Sequence, residues 1–444
     1  MQLREVRLMP VLLALASITA ASSLHAANPS SDGCNYDESK VGTYTLPDPL
    51  LAKDGHRITS ANEWRTRRVE ILRDFSDLMY GHTPQLPTRP RAETIASRND
   101  AVDGLATRTV VTLRFFDDLS APKIQLLLYV PNGVKKPAPV FLGLNYYGNA
   151  SVEKDPALPL SDRWMRPASD MGIVSHRATE ATRGAQASFW PLAMALKRGY
   201  AVATFYYGDV EPDHIEGWRD GIRGYALKLA GRSERGRNEW SALGAWAWGL
   251  SRALDYLETH PGVDPRVTVF GHSRHGKAAL WAGAQDERFA IVISNNSGEG
   301  GASLARRDFG ENIAVSIGHA SWRYCDRFRD CIGRANDLPF DQHMLLALIA
   351  PRPVYVASAT EDGLADPKGE FLSAAHVEPV YQLFGLRGLG TFEWPAADRP
   401  IGDVVGYHLR TGKHNITPYD WEQYLNFADR HLARANQSTA APAK

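Results

Sequence analysis

The chain has 444 residues, with 50 lysines and arginines balancing 50 aspartates and glutamates, and it is 44% hydrophobic. That composition is ordinary for a globular enzyme, and nothing in the net charge argues for nucleic acid, an anionic membrane or a polyanionic substrate. A neutral or sparsely charged substrate fits better.

At the N-terminus Arg4 and Arg7 precede an apolar run over 8–21, and the small residues Ala26 and Ala27 follow. This is the pattern of a signal peptide over 1–26, since the run falls short of the ~20 residues needed to span a bilayer. No cysteine sits at the cleavage point and no later segment is apolar enough to cross a membrane. The expected mature protein is therefore soluble and exported, to the periplasm or beyond. A flexible segment over 27–39, a catalytic domain over 40–435 and a mobile tail over 436–444 complete the expected organisation.

Within the domain, β-rich apolar runs at 109–113, 124–130, 140–144, 201–205, 267–270, 290–294 and 354–358 predict strands. Helical patterns at 190–197, 238–259, 277–284 and 371–383 lie between them. Strands separated by helices predict an α/β fold with a mostly parallel central sheet covered on both faces. Residues 149–187, rich in Pro, Asp, Arg and Ser, show little periodicity. A loop of that length is read as an insertion overhanging the active edge of the sheet, or as a surface elaboration. The cysteines are Cys34, Cys325 and Cys331. In an oxidising compartment Cys325 and Cys331 are the nearer pair, with Cys34 free or paired instead, and the spacing lacks the partners of a zinc site.

The chemistry concentrates at 267–281, Val-Thr-Val-Phe-Gly-His-Ser-Arg-His-Gly-Lys-Ala-Ala-Leu-Trp, where a buried strand meets a helix through a tight turn with Ser273 at its apex. A nucleophile elbow needs this arrangement, because the turn lifts the hydroxyl clear of the sheet beside a helix N-terminus whose N–H groups meet a developing oxyanion. The second glycine of the usual Gly-x-Ser-x-Gly falls one place late, at Gly276, with His275 in its normal position. An acid and then a histidine should follow in chain order. Glu361, Asp362 and Asp366 come after the strand at 354–358, and His414 lies on a loop just before a helix beginning near Thr417.

With these residues in place the chain closely resembles the glucuronoyl esterases, the carbohydrate esterase family that cleaves esters of 4-O-methyl-glucuronic acid on xylan. The resemblance spans about 189–432. It rests on Gly-His-Ser-Arg-His-Gly-Lys-Ala-Ala, on Asn-Ser-Gly-Glu-Gly-Gly-Ala-Ser followed by Phe-Gly-Glu-Asn, on Glu-Asp-Gly-Leu-Ala-Asp-Pro-Lys-Gly-Glu-Phe, and on the His414 loop with its Asp-Trp. It implies an α/β-hydrolase fold with Ser273 as nucleophile, His414 as general base, Arg274 as oxyanion support and Lys277 as a donor to sugar hydroxyls. Glu311 and Trp322 fall in the family's sugar-binding segment. Fungal-type members carry a glutamate where this chain has Asn296, whereas bacterial members place an aspartate after the later strand. Asp362 is therefore the expected triad acid, ahead of Glu299 and Asp366. The family's aromatic in the acid loop is replaced here by Leu364.

The expected activity is that of a 4-O-methyl-glucuronoyl methylesterase acting on glucuronoxylan and lignin–carbohydrate esters. A carbohydrate acetyl esterase on the same fold is the alternative. Serine acyl transfer requires no cofactor and no metal, and the protein is expected to work as a monomer without nucleic-acid or membrane partners.

Overall fold

A computed structural model describes residues 33–134 and 137–438; the expected signal peptide at 1–26 lies outside them. Ten strands form one sheet: β1 (Arg91–Ala101), β2 (Ala106–Arg114), β3 (Lys123–Pro131), β4 (Ala138–Asn145), β7 (Ala201–Tyr206), β8 (Val263–His272), β9 (Ile291–Asn295), β10 (Val354–Ala359), β11 (Ile401–Gly402) and β12 (Val405–Arg410). The remaining two, β5 (Ile173–Val174) and β6 (Arg177–Ala178), pair as a separate ribbon inside the 149–187 insertion. Along the sheet the order is β1-β2-β3-β7-β4-β8-β9-β10-β12-β11. The six strands from β7 to β12 run parallel, while β1, β2 and β3 at one side and β11 at the other are antiparallel.

The parallel strands are apolar along their length because both sheet faces are covered. Every residue of β7, β9, β10 and β12 is buried. Phe270 on β8 contacts Trp190 and, from the C-terminal helix (Pro418–Ser438), Trp421, with ring centroids at 5.3 and 5.0 Å. Trp281 of the helix Arg274–Gln285 stacks on Tyr80 at 4.4 Å. Each such fully buried side chain contributes on the order of 1.5–3 kcal/mol. Close packing also explains two glycines within strands, for a Cβ on Gly143 would lie 2.6 Å from the Phe270 ring and one on Gly406 would lie 2.2 Å from Tyr355.

Register carries this packing into function. His272 pairs with Asn295, Asn295 with Ala357, and Ala359 with Arg410. The carboxyl ends of β8, β9, β10 and β12 are thereby aligned, and the residues that leave them enter one region, the position at which open α/β sheets bind ligands.

The predicted strands are present, six with longer bounds and the one expected at 290–294 shifted by one residue to 291–295, but β1, β11, β12 and the first helix, Ala61–Phe75, were not anticipated. β1 is exposed along nearly its whole length, so no apolar alternation marks it. The first helix is announced by a capping box between Ser60 and Glu63. The single helix expected at 371–383 is two, Pro367–Ala375 and Glu378–Gln382, with Pro379 at the start of the second.

Residues 33–39, the described part of the segment expected to be flexible, are held on the domain instead. Asn35 bridges to Gly310, and Glu38 pairs with Arg307 and Lys368 at 2.8 and 2.6 Å. The C-terminal helix runs to Ser438, past the expected boundary at 435, and 439–444 lie outside the described residues. The anticipated Cys325–Cys331 bridge is not formed; all three cysteines are free thiols, with Cys325 and Cys331 buried around a short 3-10 helix.

Candidate active site

Ser273 occupies the apex between β8 and the helix Arg274–Gln285, with φ 55° and ψ −130°. A positive φ on a non-glycine residue is strained, and here it is held from three sides. The Ser273 amide donates to Asn295 O at 2.8 Å, and its carbonyl accepts from Gly276 N and Lys277 N at 2.8 and 3.2 Å. Gly271 admits the turn, since a Cβ there would meet His275 O at 2.1 Å. His275, in the place where a glycine is usual, is accommodated by stacking on Tyr146 with centroids 3.9 Å apart and by a 3.2 Å contact between Nδ1 and Leu144 O. Burial holds this imidazole well below its usual pKa, so it is neutral packing in the elbow.

His414 lies on the loop after β12. Its Nδ1 is 2.6 Å from Asp362 Oδ2, and Asp362 is buried. The same carboxylate oxygen accepts a 2.6 Å hydrogen bond from Asn296 Nδ2. Asn296 therefore cannot replace a carboxylate, but it fixes the one that faces the histidine. The two other acids considered lie elsewhere. Asp366 pairs with Arg307 at 2.8 Å and caps the helix Pro367–Ala375 through Gly369 N. Glu299 is buried, and burial pushes its carboxyl well above the usual range.

Ser273 and His414 line one cavity of about 270 Å³, together with His272, Arg274, Tyr146, Tyr147 and Phe189. Met171, Ala185 and Gln186 of the 149–187 insertion line it as well. Among the described residues the Ser273 hydroxyl and the His414 ring are not hydrogen-bonded to each other, a contact that commonly tightens only once substrate is bound. The neighbouring His272 stacks near His414 at 4.3 Å, with its Nδ1 engaged 2.5 Å from Asn295 Oδ1. Burial, with a second imidazole beside it, keeps the His272 pKa well below its usual value.

Arg274 also reaches this cavity, its guanidinium 4.5 Å from the centre of the Tyr146 ring and 5.3 Å from that of Tyr207. Its Nε is 3.0 Å from Asp213 Oδ2, an ion-pair distance without hydrogen-bond alignment. Asp213, unnoticed in the sequence, is the hub of this corner. It accepts from Trp322 Nε1 at 2.8 Å and from Arg323 Nε and Nη2 at 2.9 and 2.6 Å. Although burial opposes ionisation, Arg323 and Arg274 hold its carboxyl below the usual range.

Trp322 is thus oriented by its indole N–H and half-buried, which leaves part of its ring available. Lys277 is buried, 3.3 Å from both Glu311 Oε2 and Tyr324 OH. Burial disfavours its charge, but Glu311 and Tyr324 together outweigh that and hold its pKa above the ordinary value. Lys277, Glu311 and Trp322 do not line the 270 Å³ cavity; Trp322 is linked to it through Asp213 and Arg274, whereas Lys277 and Glu311 pair with each other. Leu364, in the acid loop, is exposed, and the Tyr36 ring lies against the neighbouring Gly363. Besides Asp213, the sequence reading missed Tyr146 and Tyr147. Their only signal was position, directly after the carboxyl end of β4.

Comparison with known proteins finds relatives over most of the chain. A family model described as glucuronyl esterase, fungi, matches residues 187–385. Carbohydrate esterase MZ0003, from an unknown prokaryotic organism, is 44% identical over 403 residues, covering 90% of this chain and 92% of its own. A 4-O-methyl-glucuronoyl methylesterase 1 from Wolfiporia cocos is 27% identical, over 77% of this chain and 72% of its own. A solved glucuronoyl esterase from Solibacter usitatus superposes with a TM-score of 0.84 at 46% identity, covering 89% of this chain and all of that one.

Proposed function

Since the chain belongs to the glucuronoyl esterases of carbohydrate esterase family 15, carboxylic ester hydrolases on an α/β-hydrolase fold, we propose that it works by acyl transfer to Ser273. The substrate in this reading is the ester between 4-O-methyl-glucuronic acid of glucuronoxylan and a lignin alcohol. The observation that carries it is the placement of a positive-φ serine and a carboxylate-bound histidine on one cavity.

Ser273 Oγ attacks the uronate carbonyl carbon while His414 Nε2 takes the hydroxyl proton. Asp362 keeps the His414 proton on Nδ1 and supports the imidazolium as it forms, with Asn296 holding the carboxylate in place. Negative charge growing on the carbonyl oxygen meets the N-terminus of the helix Arg274–Gln285 and the Arg274 cation. The imidazolium then protonates the departing alcohol. Water, deprotonated by His414, releases glucuronate and restores Ser273. Lys277, Glu311 and Trp322 are assigned to the sugar, the first two by hydrogen bonds to hydroxyls and the third by stacking. The basic, apolar and small-residue pattern at 1–27 supports export, which places the enzyme where plant cell-wall fragments are met.

The test is hydrolysis of benzyl glucuronate against p-nitrophenyl acetate. Clear preference for the glucuronate ester is expected. Turnover of the acetate alone would assign the chain to general acetyl esterase chemistry, and inertness on both would remove the hydrolytic reading.

A further inference from the structure

The loop that carries His414 has no regular structure, yet a general base has to hold its ring to a fraction of an ångström. The restraint is a buried polar network behind the loop. Arg410, the last residue of β12, donates from Nη2 to Lys413 O at 2.8 Å and to Asn415 O at 3.0 Å, and from Nη1 to Thr411 O at 3.0 Å. One guanidinium nitrogen thus grips the two carbonyls that flank His414. Behind it stands Asp420, fully buried in the first turn of the C-terminal helix, with Oδ2 at 2.9 Å from Arg410 Nε. The same carboxylate accepts from Thr417 N and Oγ1 at 2.7 Å, and lies 3.0 Å from His408 Nε2.

The network continues to the nucleophile. Asn295 Nδ2 donates to Asp420 Oδ1 at 3.2 Å, its Oδ1 meets His272 Nδ1, and its backbone carbonyl accepts from the Ser273 amide. A continuous chain of hydrogen bonds and one ion pair therefore joins the Ser273 backbone to the carbonyls on either side of His414. Its middle members, Asn295, Asp420 and Arg410, do not line the cavity, whereas Ser273, His272 and Asn415 at its ends do. Such a device has a definite chemical role, because the Asp362 contact fixes only one end of the imidazole. The orientation of the other end, Nε2, then depends on the backbone that carries the ring, and that backbone is what Arg410 holds.

We infer that Arg410, anchored by Asp420, is a positioning residue for the general base. The inference rests on His414 acting as that base. Lysine at 410 would keep the charge opposite Asp420 but lose the planar fork that spans several carbonyls. Arg410→Lys should lower kcat for benzyl glucuronate about tenfold to a hundredfold with KM changed by less than about twofold, because transition-state geometry is lost while binding groups are untouched. Covalent labelling of Ser273 by a fluorophosphonate, which needs the base but no sugar contact, should slow by a similar factor.

Arg352→Lys is the matching control, since that guanidinium also binds carbonyls, of Gly283, Asp286 and Phe289, just before β10 at the opposite edge of the sheet. It should lower Tm with kcat and labelling preserved. Should Arg410→Lys fail to fold, Thr417→Val, which removes one hydroxyl from Asp420, takes its place with an expected threefold to tenfold loss in kcat, of the order set by one hydrogen bond. Unchanged kcat in the folded variant, or a loss confined to KM, overturns the inference. His414→Ala, measured alongside, separates the two readings. Full labelling in that variant would remove the base assignment itself, whereas slow labelling there with normal labelling in Arg410→Lys would remove only the role of Arg410.

Discussion

The hydrolytic group and the polar corner beside it are built in different ways. Ser273, Asn296, Asp362 and His414 each follow the carboxyl end of a parallel strand, within four residues of His272, Asn295, Ala359 and Arg410. Their relative placement is set by sheet register. Asp213, Glu311, Trp322 and Arg323 lie instead in loops and short turns, tied down by ion pairs and hydrogen bonds, Asp213 with Trp322 and Arg323 and Glu311 with Lys277. On the proposed reading, the chemistry common to many esterases sits on the rigid sheet, whereas contacts to the acyl group are assembled from charges on segments that can be rebuilt without disturbing it.

This contrast breaks most sharply at the nucleophile. Ser273→Ala should cut hydrolysis of every ester by ~10⁴ or more, the scale of triad knockouts. Steady-state rates on benzyl glucuronate and p-nitrophenyl acetate check it, and a folded variant with near-normal turnover removes Ser273 from the chemistry.

The acids come next. Asp362→Asn should lower kcat by about 10²–10⁴. Asn296→Ala, which loosens the carboxylate without removing it, should cost about tenfold. Asp366→Asn should spare kcat and lower stability by ~1.5–3 kcal/mol, because it removes one of the two carboxylates that pair with the buried Arg307 and leaves Glu38 as the other. Urea unfolding measured beside kinetics separates the two kinds of loss. A larger kcat loss from Asp366→Asn than from Asp362→Asn would reverse the assignment.

The difference in construction also explains what could be read beforehand. The elbow, the order of acid and histidine, and the seven predicted strands were legible because a buried parallel strand is a continuous apolar run and its catalytic residue follows at a short, regular interval. β12 escaped notice because Gly406, His408 and Arg410 interrupt its apolar run. Those three residues serve particular neighbours that apolar periodicity does not reveal: the Tyr355 ring, Asp420 and the His414 loop. Asp213 was illegible for a related reason. A buried aspartate is identified by the cations it neutralises, and Arg274 and Arg323 stand 61 and 110 residues away. The disulfide expected from the closeness of Cys325 and Cys331 in sequence failed because proximity along a chain says nothing of how the thiols are turned.

On the recognition side, Lys277→Ala should reduce kcat/KM for a glucuronate ester about tenfold to a hundredfold, the range for a hydrogen bond to a charged group. Hydrolysis of p-nitrophenyl acetate should be nearly unaffected, since acetate has no hydroxyls. An equal loss on both esters would mean that Lys277 serves chiefly to neutralise Glu311.

The smallest expected effect concerns the scaffold between the two regions. Glu370 accepts from Ser297 N and Gly298 N at 2.7 and 3.0 Å and from Ser358 Oγ at 2.6 Å, and burial together with nearby Asp362 pushes its carboxyl up to about 8. The folded state keeps this proton where the unfolded chain releases it, so the stability it contributes is present at low pH and is lost as pH rises towards about 8. Thermal unfolding followed from pH about 5 to about 9 should show Tm falling in the wild-type chain and falling less in Glu370→Gln. Identical pH profiles for the two proteins would show that Glu370 does not titrate in this window.

The most direct test of the acyl-transfer account is mass spectrometry after rapid acid quench of the enzyme turning over benzyl glucuronate. A glucuronoyl adduct on the peptide that contains Ser273, absent from Ser273→Ala, is the predicted result. Turnover with no adduct on that peptide, or with an adduct elsewhere, would contradict it.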